Sequence, residues 1–238
     1  MRNDHRPLAL KRLSAWWEGR YIEHFVRPQL DGMGRRGMIM KPWHLHIHGR
    51  GVAFGEEVHV VAARDRPVRI TTWQQSPHAT VTIGDYALLC PGVRIDCANA
   101  VTVGASTMLA AGVYLTDADW HDLYDRAQPV GYNAPISIGE NAWIGDGATV
   151  CKGVSVGDNT VVGAGSVVTR SLPANVIAAG NPARVVKELD TSRPMSTRAD
   201  YLAQPDFAEK LRLLDNYVYG GNGWLKYLRT LVAPAPHD

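Results

Sequence analysis

The 238-residue sequence has no long apolar run, few cysteines and little net charge. No stretch approaches the roughly 18 uncharged apolar residues that a membrane-spanning helix needs, and the N-terminus lacks the apolar core of a signal peptide. The only cysteines are Cys90, Cys97 and Cys151, an odd number without metal-binding spacing, which argues against a disulfide framework. A net charge of +2 implies no strong attraction to nucleic acid. We therefore expect a reduced, cytoplasmic protein.

The most regular feature that is present is a six-residue repeat between residues 138 and 168. A small or β-branched residue follows most of its aliphatic positions four residues later, and glycine often follows them directly. The aliphatic positions are Ile138, Ile144, Val150, Val156, Val162 and Val168. An α-helix cannot keep positions six apart on one face, because six residues turn it by about 600°. Short strands joined by tight corners can, so the repeat predicts a β-helix.

The same spacing recurs between residues 83 and 115, but its phase slips by two residues there. We interpret the slip, at residues 97–101, as a corner bulge of two extra residues. If each coil takes about 18 residues, residues 45–185 would form roughly seven to eight coils.

Helical patterns flank the repeat on both sides. Residues 7–30 have amphipathic spacing and precede a glycine-rich linker at 31–42, and we expect them to cap the open end of the β-helix. Because Trp16 and Trp17 lie among basic residues, a weak contact with a membrane surface is the alternative. The expected domains are an N-terminal helical cap and linker at 1–42, the β-helix at 43–189 and a C-terminal helical extension at 190–238.

The repeat is interrupted by a 22-residue excursion at 116–137. A loop this long in a compact repeat is usually functional. It holds the densest cluster of titratable groups in the chain, including His121, which can take a proton from an attacking hydroxyl or amine. Its neighbouring carboxylates are candidates for fixing the histidine tautomer. The alternative is a surface loop that packs against another subunit, with His121 a bystander.

Three stretches resemble the hexapeptide-repeat acyltransferases, in the branch of galactoside, maltose, nodulation and xenobiotic acetyltransferases. They are IGDYALLCPGVRI, the loop TDADWH, and a run of about fifty residues from IGENAWIGDGATV to NPARVVKEL. The resemblance implies an all-β core, a left-handed parallel β-helix, with helical extensions at its ends. It also implies a homotrimer with active sites between subunits and acetyl-CoA as acyl donor, with no metal required.

The resemblance assigns roles to individual residues. His121 takes the place of the general base, although the local sequence departs from the usual family motif. The positions that the resemblance places along the cofactor are Trp143, Asp146, Ala164, Thr169, Arg170, Arg184 and Lys187. The last four match the adenosine end, where basic side chains suit phosphate.

The acceptor side departs from the family. Cys90 and Ala98 occupy the positions of its sugar-binding asparagine and aspartate. The resemblance therefore does not identify the acceptor. The candidates for binding it are Asp96, Asn99, Asp119, Tyr124 and Arg126.

The predicted function is transfer of an acetyl group from acetyl-CoA to a hydroxyl or amine of a small acceptor, a sugar or glycan precursor. One alternative is a non-catalytic β-helix used for assembly. Another is a γ-type carbonic anhydrase, which needs three zinc histidines on adjacent coils. His44, His46 and His48 share one strand face, but they lie outside the regular coils, so we expect an outward, solvated face without metal.

Overall fold

The computed structural model describes residues 4–73 and 79–235, which form two compact units. The larger unit, Tyr21–Asp200, contains the β-strands. The smaller unit combines Met1–Arg20 with Tyr201–Asp238 and contains helices.

From β1 (Gly32–Met33) to β18 (Val167–Val168), the strands of the larger unit fall in turn into the first, second and third of three sheets. The first sheet contains β1 (Gly32–Met33), β4 (Val52–Phe54), β7 (Thr80–Ile83), β10 (Ala100–Val103), β13 (Ile136–Ile138) and β16 (Ser155–Val156). The second contains β2 (Met38–Met40), β5 (His59–Val61), β8 (Leu88–Leu89), β11 (Met108–Leu109), β14 (Trp143–Ile144), β17 (Val161–Val162), β19 (Val176–Gly180) and β20 (Ala183–Glu188). The third contains β3 (Leu45–His48), β6 (Val68–Thr72), β9 (Arg94–Cys97), β12 (Tyr114–Thr116), β15 (Thr149–Cys151) and β18 (Val167–Val168).

Each strand pairs in parallel with the strand one coil away, which is the arrangement of a three-sided β-helix. Among the strands that the structure describes, β20 alone turns back, pairing antiparallel with β19 at the end of the second sheet. The strands within residues 4–73 and 79–235 make six complete coils, not seven to eight. The estimate was too high because the excursion and the longer corners use residues without adding strands.

The six-residue aliphatic positions fill the interior, as predicted. From Ile138 to Val168 they are between 0 and 2% exposed. The small residues four places later, such as Ala142 and Ala148, are also buried. A single apolar core therefore runs along the β-helix axis.

One corner of the β-helix repeats a left-handed backbone conformation on coil after coil. The residues at this corner have φ between 50° and 59° and are Arg36, Glu57, Tyr86, Ser106, Asn141, Asn159 and Asn175. The three asparagines form a ladder, in which Asn141 donates its amide to Asn159 and Asn159 donates to Asn175, each at 2.9 Å. Asparagine tolerates this conformation better than most residues, which suits it to the corner.

The N-terminal part of the larger unit differs from the expected linker. Residues 31–42 contribute β1 and β2, so they form part of the first coil. Ile22 and Val26, in a π-helical segment (Ile22–Val26), are buried in the same core as the strands. Short 3₁₀ helices follow at Arg27–Gln29 and Pro42–His44.

Arg198 ties the end of the larger unit to its second sheet. It lies at the start of helix α2 (Arg198–Leu202), and its Nε donates to the Tyr86 carbonyl at 2.8 Å. Its terminal nitrogen lies 2.9 Å from His59 Nδ1, which must accept because a guanidinium only donates. Burial, with a contribution from Arg198, lowers the pKa of His59 to about 4.

The smaller unit carries three longer helices, α1 (Leu8–Tyr21), α3 (Phe207–Tyr219) and α4 (Trp224–Val232). The apolar side of α4 is its exposed side: Leu225 is 86% exposed, while Thr230 on the opposite side is 2% exposed. No helix of the described chain is both long enough and apolar enough to cross a membrane.

Candidate active site

The excursion leaves the β-helix after β12 and returns at β13. Two antiparallel bridges, Ala118 with Asn133 and His121 with Pro129, hold its two sides together. It is therefore a narrow ribbon that projects from the corner between the third and first sheets.

Asp117 anchors the root of this ribbon. Its carboxylate is fully buried and accepts the backbone N–H groups of Ala98 at 2.7 Å and Asn99 at 2.8 Å. The Cys97 thiol lies 3.2 Å from the same carboxylate, and burial, reinforced by this charge, raises the pKa of Cys97. The predicted bulge at 97–101 is thus the loop of backbone that wraps around the Asp117 side chain.

His121 is oriented by a backbone carbonyl. Its Nδ1 lies 3.1 Å from the carbonyl oxygen of Arg126. A carbonyl only accepts, so Nδ1 carries the proton in the neutral ring and Nε2 keeps its lone pair. The side chain is exposed, so Nε2 is available to accept a proton.

The neighbouring carboxylates are not the groups that hold His121 Nδ1. Asp119 instead forms an ion pair with Lys152 at 2.6 Å. Asp122 accepts the backbone N–H groups of Tyr124 and Asp125, each at 2.8 Å, and these hydrogen bonds lower its pKa. The acidic side chains of the ribbon stabilise its own fold, because short loops satisfy their backbone donors locally.

His121 borders two cavities, and Trp120 borders both with it. The smaller encloses about 210 Å³, and its other lining residues are Trp73, Arg94, Asp96, Pro129 and Val130. The larger encloses about 420 Å³ on the side of Tyr114, Asp119 and Arg126. Each is a candidate for holding a reacting group beside His121.

Asp96, one of the predicted acceptor ligands, lies in the smaller cavity and is only 4% exposed. Its Oδ2 accepts from the Tyr114 hydroxyl at 2.9 Å and pairs with the Arg94 guanidinium at 2.5 Å. Its Oδ1 receives no hydrogen bond from any described residue. Burial raises the pKa of Tyr114, and the hydrogen bond to Asp96 raises that of Arg94.

The other four acceptor candidates differ in their placement. Asp119 and Arg126 line the larger cavity. Asn99 lines neither cavity, and its amide donates to Asn133 at 3.0 Å, which links the corner to the returning side of the ribbon. Tyr124 is 97% exposed and also lies outside both cavities.

The predicted cofactor positions lie on other parts of the β-helix. Trp143 is exposed on β14 of the second sheet. Asp146 and Ala164 occupy successive coils at the corner between the second and third sheets, where the Gly165 N–H donates to the Asp146 carbonyl at 2.7 Å. These two residues are therefore stacked, as a common binding edge requires.

The four positions assigned to the adenosine end of the cofactor form two groups. Thr169 and Arg170 are exposed just after β18, at the same corner from which the ribbon projects. Arg184 and Lys187 are exposed on β20. None of the seven cofactor positions lines either cavity beside His121.

Two aromatic residues of the site were missed by sequence reasoning. Trp73 and Trp120 lie with ring centroids 5.3 Å apart in the smaller cavity. Trp73 follows β6, two coils before the ribbon, so no local pattern connects them. The cross-strand pairing of Thr71 with Asp96 and of Asp96 with Thr116 brings these segments together.

Within the ranges 4–73 and 79–235, no three histidine, cysteine or acidic side chains come together as a metal-binding group. His46 and His48 point outward from β3, while Leu45 and Ile47 point inward. All three cysteines are free.

The comparisons with known proteins match this architecture. Residues 135–170 match the family model described as bacterial transferase hexapeptide (six repeats). The chain is 42% identical over 113 residues to galactoside O-acetyltransferase of Escherichia coli, covering 47% of this chain and 45% of that protein. It is 49% identical over 94 residues to nodulation protein L of Rhizobium leguminosarum bv. viciae, covering 39% and 49%.

The fold also resembles that of a solved variant of AntD, an N-acyltransferase from Bacillus cereus, in complex with dTDP-4-amino-4,6-dideoxyglucose and coenzyme A. The TM-score is 0.58 at 17% identity, covering 71% of this chain and 90% of that one. The chain spans about half the length of the curated relatives that it matches. The chain therefore carries the bacterial transferase hexapeptide repeat on a left-handed parallel β-helix, and its relatives include acetyltransferases.

Proposed function

We propose that this protein is an acyltransferase that moves an acetyl group from acetyl-CoA to a hydroxyl or amine of a sugar-related acceptor. The observation that carries the proposal is His121, whose Nδ1 is held by the Arg126 carbonyl while the residue lines both cavities. A free thiol of coenzyme A and an acetylated acceptor would be the products.

In the proposed reaction, His121 Nε2 removes the proton of the acceptor hydroxyl or amine as that group attacks the thioester carbonyl. The carbon–sulfur bond then breaks, and the proton passes from the imidazolium to the departing sulfur. Backbone N–H groups support the negative charge on the carbonyl oxygen in between. The Arg126 carbonyl supports the imidazolium, because it continues to accept the Nδ1 proton.

For the donor, we propose the edge that runs from Trp143 past Asp146 and Ala164. Arg170 and Lys187 have no hydrogen-bond partner among the described residues, so both are available for phosphate. Because none of these positions lines the His121 cavities within one chain, a homotrimer with sites between subunits is part of the proposal. In it, one subunit supplies the base and its neighbour supplies the donor edge.

The test is acetyl-CoA-dependent thiol release with a panel of sugars, nucleotide sugars and amines. His121→Gln should lower the rate by at least about a hundredfold, the usual contribution of a general base. His48→Gln, on the outward face of β3, is the matched control and should keep the wild-type rate. A His121→Gln variant that reacts as fast as wild type would show that His121 is not the general base.

Binding of the donor separates this proposal from a non-catalytic β-helix. Coenzyme A at a hundred times its dissociation constant should stabilise the protein by about 2.7 kcal/mol. An unchanged thermal midpoint would favour the assembly role instead. We place the reaction in the cytoplasm, and the three free thiols support a reducing compartment.

A weak membrane-surface contact is a further part of the proposal. Helix α4 exposes Trp224, Leu225 and Leu228, and it carries Lys226 and Arg229 without an acidic residue. An exposed apolar face beside basic groups suits the interface of an anionic bilayer. Vesicles of phosphatidylcholine and phosphatidylglycerol should retain the full chain at physiological salt, and replacing both leucines by glutamine should release it. A protein that these vesicles do not retain has no such contact.

A further inference from the structure

The smaller cavity beside His121 combines an aromatic surface with a buried carboxylate. Trp73 and Trp120 are inclined at 43° with centroids 5.3 Å apart, and both line the cavity. Trp120 is fixed by a hydrogen bond from its indole nitrogen to the Thr116 hydroxyl at 3.0 Å. Trp73 is 47% exposed, so a large aromatic surface remains available to a ligand.

Aromatic rings bind a particular kind of surface. Their faces are negative, so they attract weakly positive C–H groups as well as apolar area. A pyranose presents such C–H groups on a ring face and hydroxyls around its rim. The paired tryptophans therefore favour a sugar ring over a fully polar ligand.

Asp96 supplies the polar counterpart. Its side chain is more than nine-tenths buried, and Oδ2 is occupied by Tyr114 and Arg94. Oδ1 has no partner among the described residues, although the carboxylate lines the cavity. An ionised carboxylate only accepts, so the ligand group opposite Oδ1 must be a donor such as a hydroxyl.

From this arrangement we propose that the cavity binds one neutral pyranose ring of the acceptor. The ring packs against Trp73 and Trp120, a rim hydroxyl donates to Asp96 Oδ1, and another hydroxyl or amine faces His121 Nε2. The volume of about 210 Å³ lies below the roughly 300 Å³ where drug-sized pockets begin, which suits a single ring. A carboxylate on the sugar facing Asp96 would place two anions together and weaken binding.

This inference rests on the proposed function for the transfer step, but its binding step is tested separately. The full-length protein is mixed with methyl pyranosides of gluco, galacto and manno configuration and with their 6-carboxylate counterparts. Binding is followed by saturation-transfer NMR without acetyl-CoA. We expect at least one neutral pyranoside to bind, and its carboxylate counterpart to bind more weakly.

The variants identify the groups responsible. Trp73→Leu should weaken binding of the neutral sugar about tenfold, the upper range for an aromatic contact. Asp96→Asn keeps the shape of the side chain and should weaken binding of the neutral sugar by a similar factor. It should also reduce the difference in affinity between the neutral sugar and its carboxylate counterpart. Trp43→Leu, which removes a half-exposed tryptophan elsewhere in the unit, should leave binding unchanged.

Two results would overturn the inference. One is that no neutral pyranoside binds the wild type; the other is that Trp73→Leu and Asp96→Asn bind as tightly as the wild type. Where a pyranoside is also acetylated, Trp73→Leu should raise KM and change kcat by less than about twofold, since the Trp73 indole does not touch the reacting atoms. Binding without any transfer would uphold the sugar site and contradict only the acyltransferase proposal.

Discussion

The buried carboxylate of Asp117 makes the root of the ribbon sensitive to a single substitution. It accepts two backbone N–H groups, from Ala98 and Asn99, at 2.7 and 2.8 Å. Asp117→Ala removes both acceptor oxygens and leaves these two backbone N–H groups without a partner. Neither N–H group donates to another oxygen among the described residues, so we expect a large loss of stability that is confined to the bulge at residues 97–101.

The magnitude follows from the two contacts. A buried donor without a partner costs about 1–3 kcal/mol, and the contact at Ala98 is fully buried while that at Asn99 is partly so. Removing the buried charge offsets part of this cost. We expect Asp117→Ala to lower the free energy of unfolding by about 2–4 kcal/mol, and Asp117→Asn by less, because its amide oxygen still accepts one of the two.

The assay is urea unfolding of the full chain at fixed protein concentration, combined with hydrogen exchange. The amides of Ala98 and Asn99 should be protected in wild type and exchange faster in Asp117→Ala. Asp65→Asn, at an exposed turn, is the control and should stay within about 0.5 kcal/mol of wild type. An Asp117→Ala variant as stable as this control, or one whose two amides stay as protected as in wild type, would contradict the role assigned to the Asp117 carboxylate.

Three further perturbations follow from the geometry. Lowering the pH from about 6.5 to about 4 should destabilise wild type relative to His59→Gln. The reason is that His59 binds a proton in the unfolded chain at a pH where, because of its lowered pKa, it stays neutral in the folded protein. Melting curves of the two proteins at about pH 7 and about pH 5 measure this difference. Gly104→Ala should lower the free energy of unfolding by about 1–3 kcal/mol, since its methyl group would overlap the Gly139 carbonyl. Gly19→Ala, in an open helix position, should raise it by about 0.5–1 kcal/mol. Shifts of the urea midpoint in the same direction for both variants would contradict this. Lys152→Met removes the ion pair that holds the ribbon and should speed hydrogen exchange across residues 117–134, and unchanged exchange would show that the pair does not hold it.

The fold was predictable because its rule is local. A position six residues from an inward aliphatic is itself inward, so Ile144 and Val162 could be assigned from spacing alone, and both are fully buried. Residues 31–42 escaped this rule because their strands are short and lack the repeat, although Ile39 still enters the core. The coil number was overestimated because spacing does not reveal how many residues a corner uses.

The site was predictable only in part, because its contacts are not local. His121 could be singled out by its isolation in a long interruption. Its orienting partner, the Arg126 carbonyl, belongs to the backbone and leaves no side-chain signature. Trp73 meets Trp120 through stacking of successive coils, and only the strand register reveals that meeting.

The asparagine ladder limits how a chain of this kind can change in length over evolution. Asn141 and Asn159 are 18 residues apart, one coil, and each amide must find the next. Insertion of a whole coil would add one more asparagine to the ladder and would leave the inward positions of the neighbouring coils unchanged. An insertion of any other length must leave the stack and return to the same corner, as the ribbon with His121 does between β12 and β13. New chemistry can therefore enter at a corner while the coils keep their register, so the reactive ribbon and the repeat can diverge at independent rates.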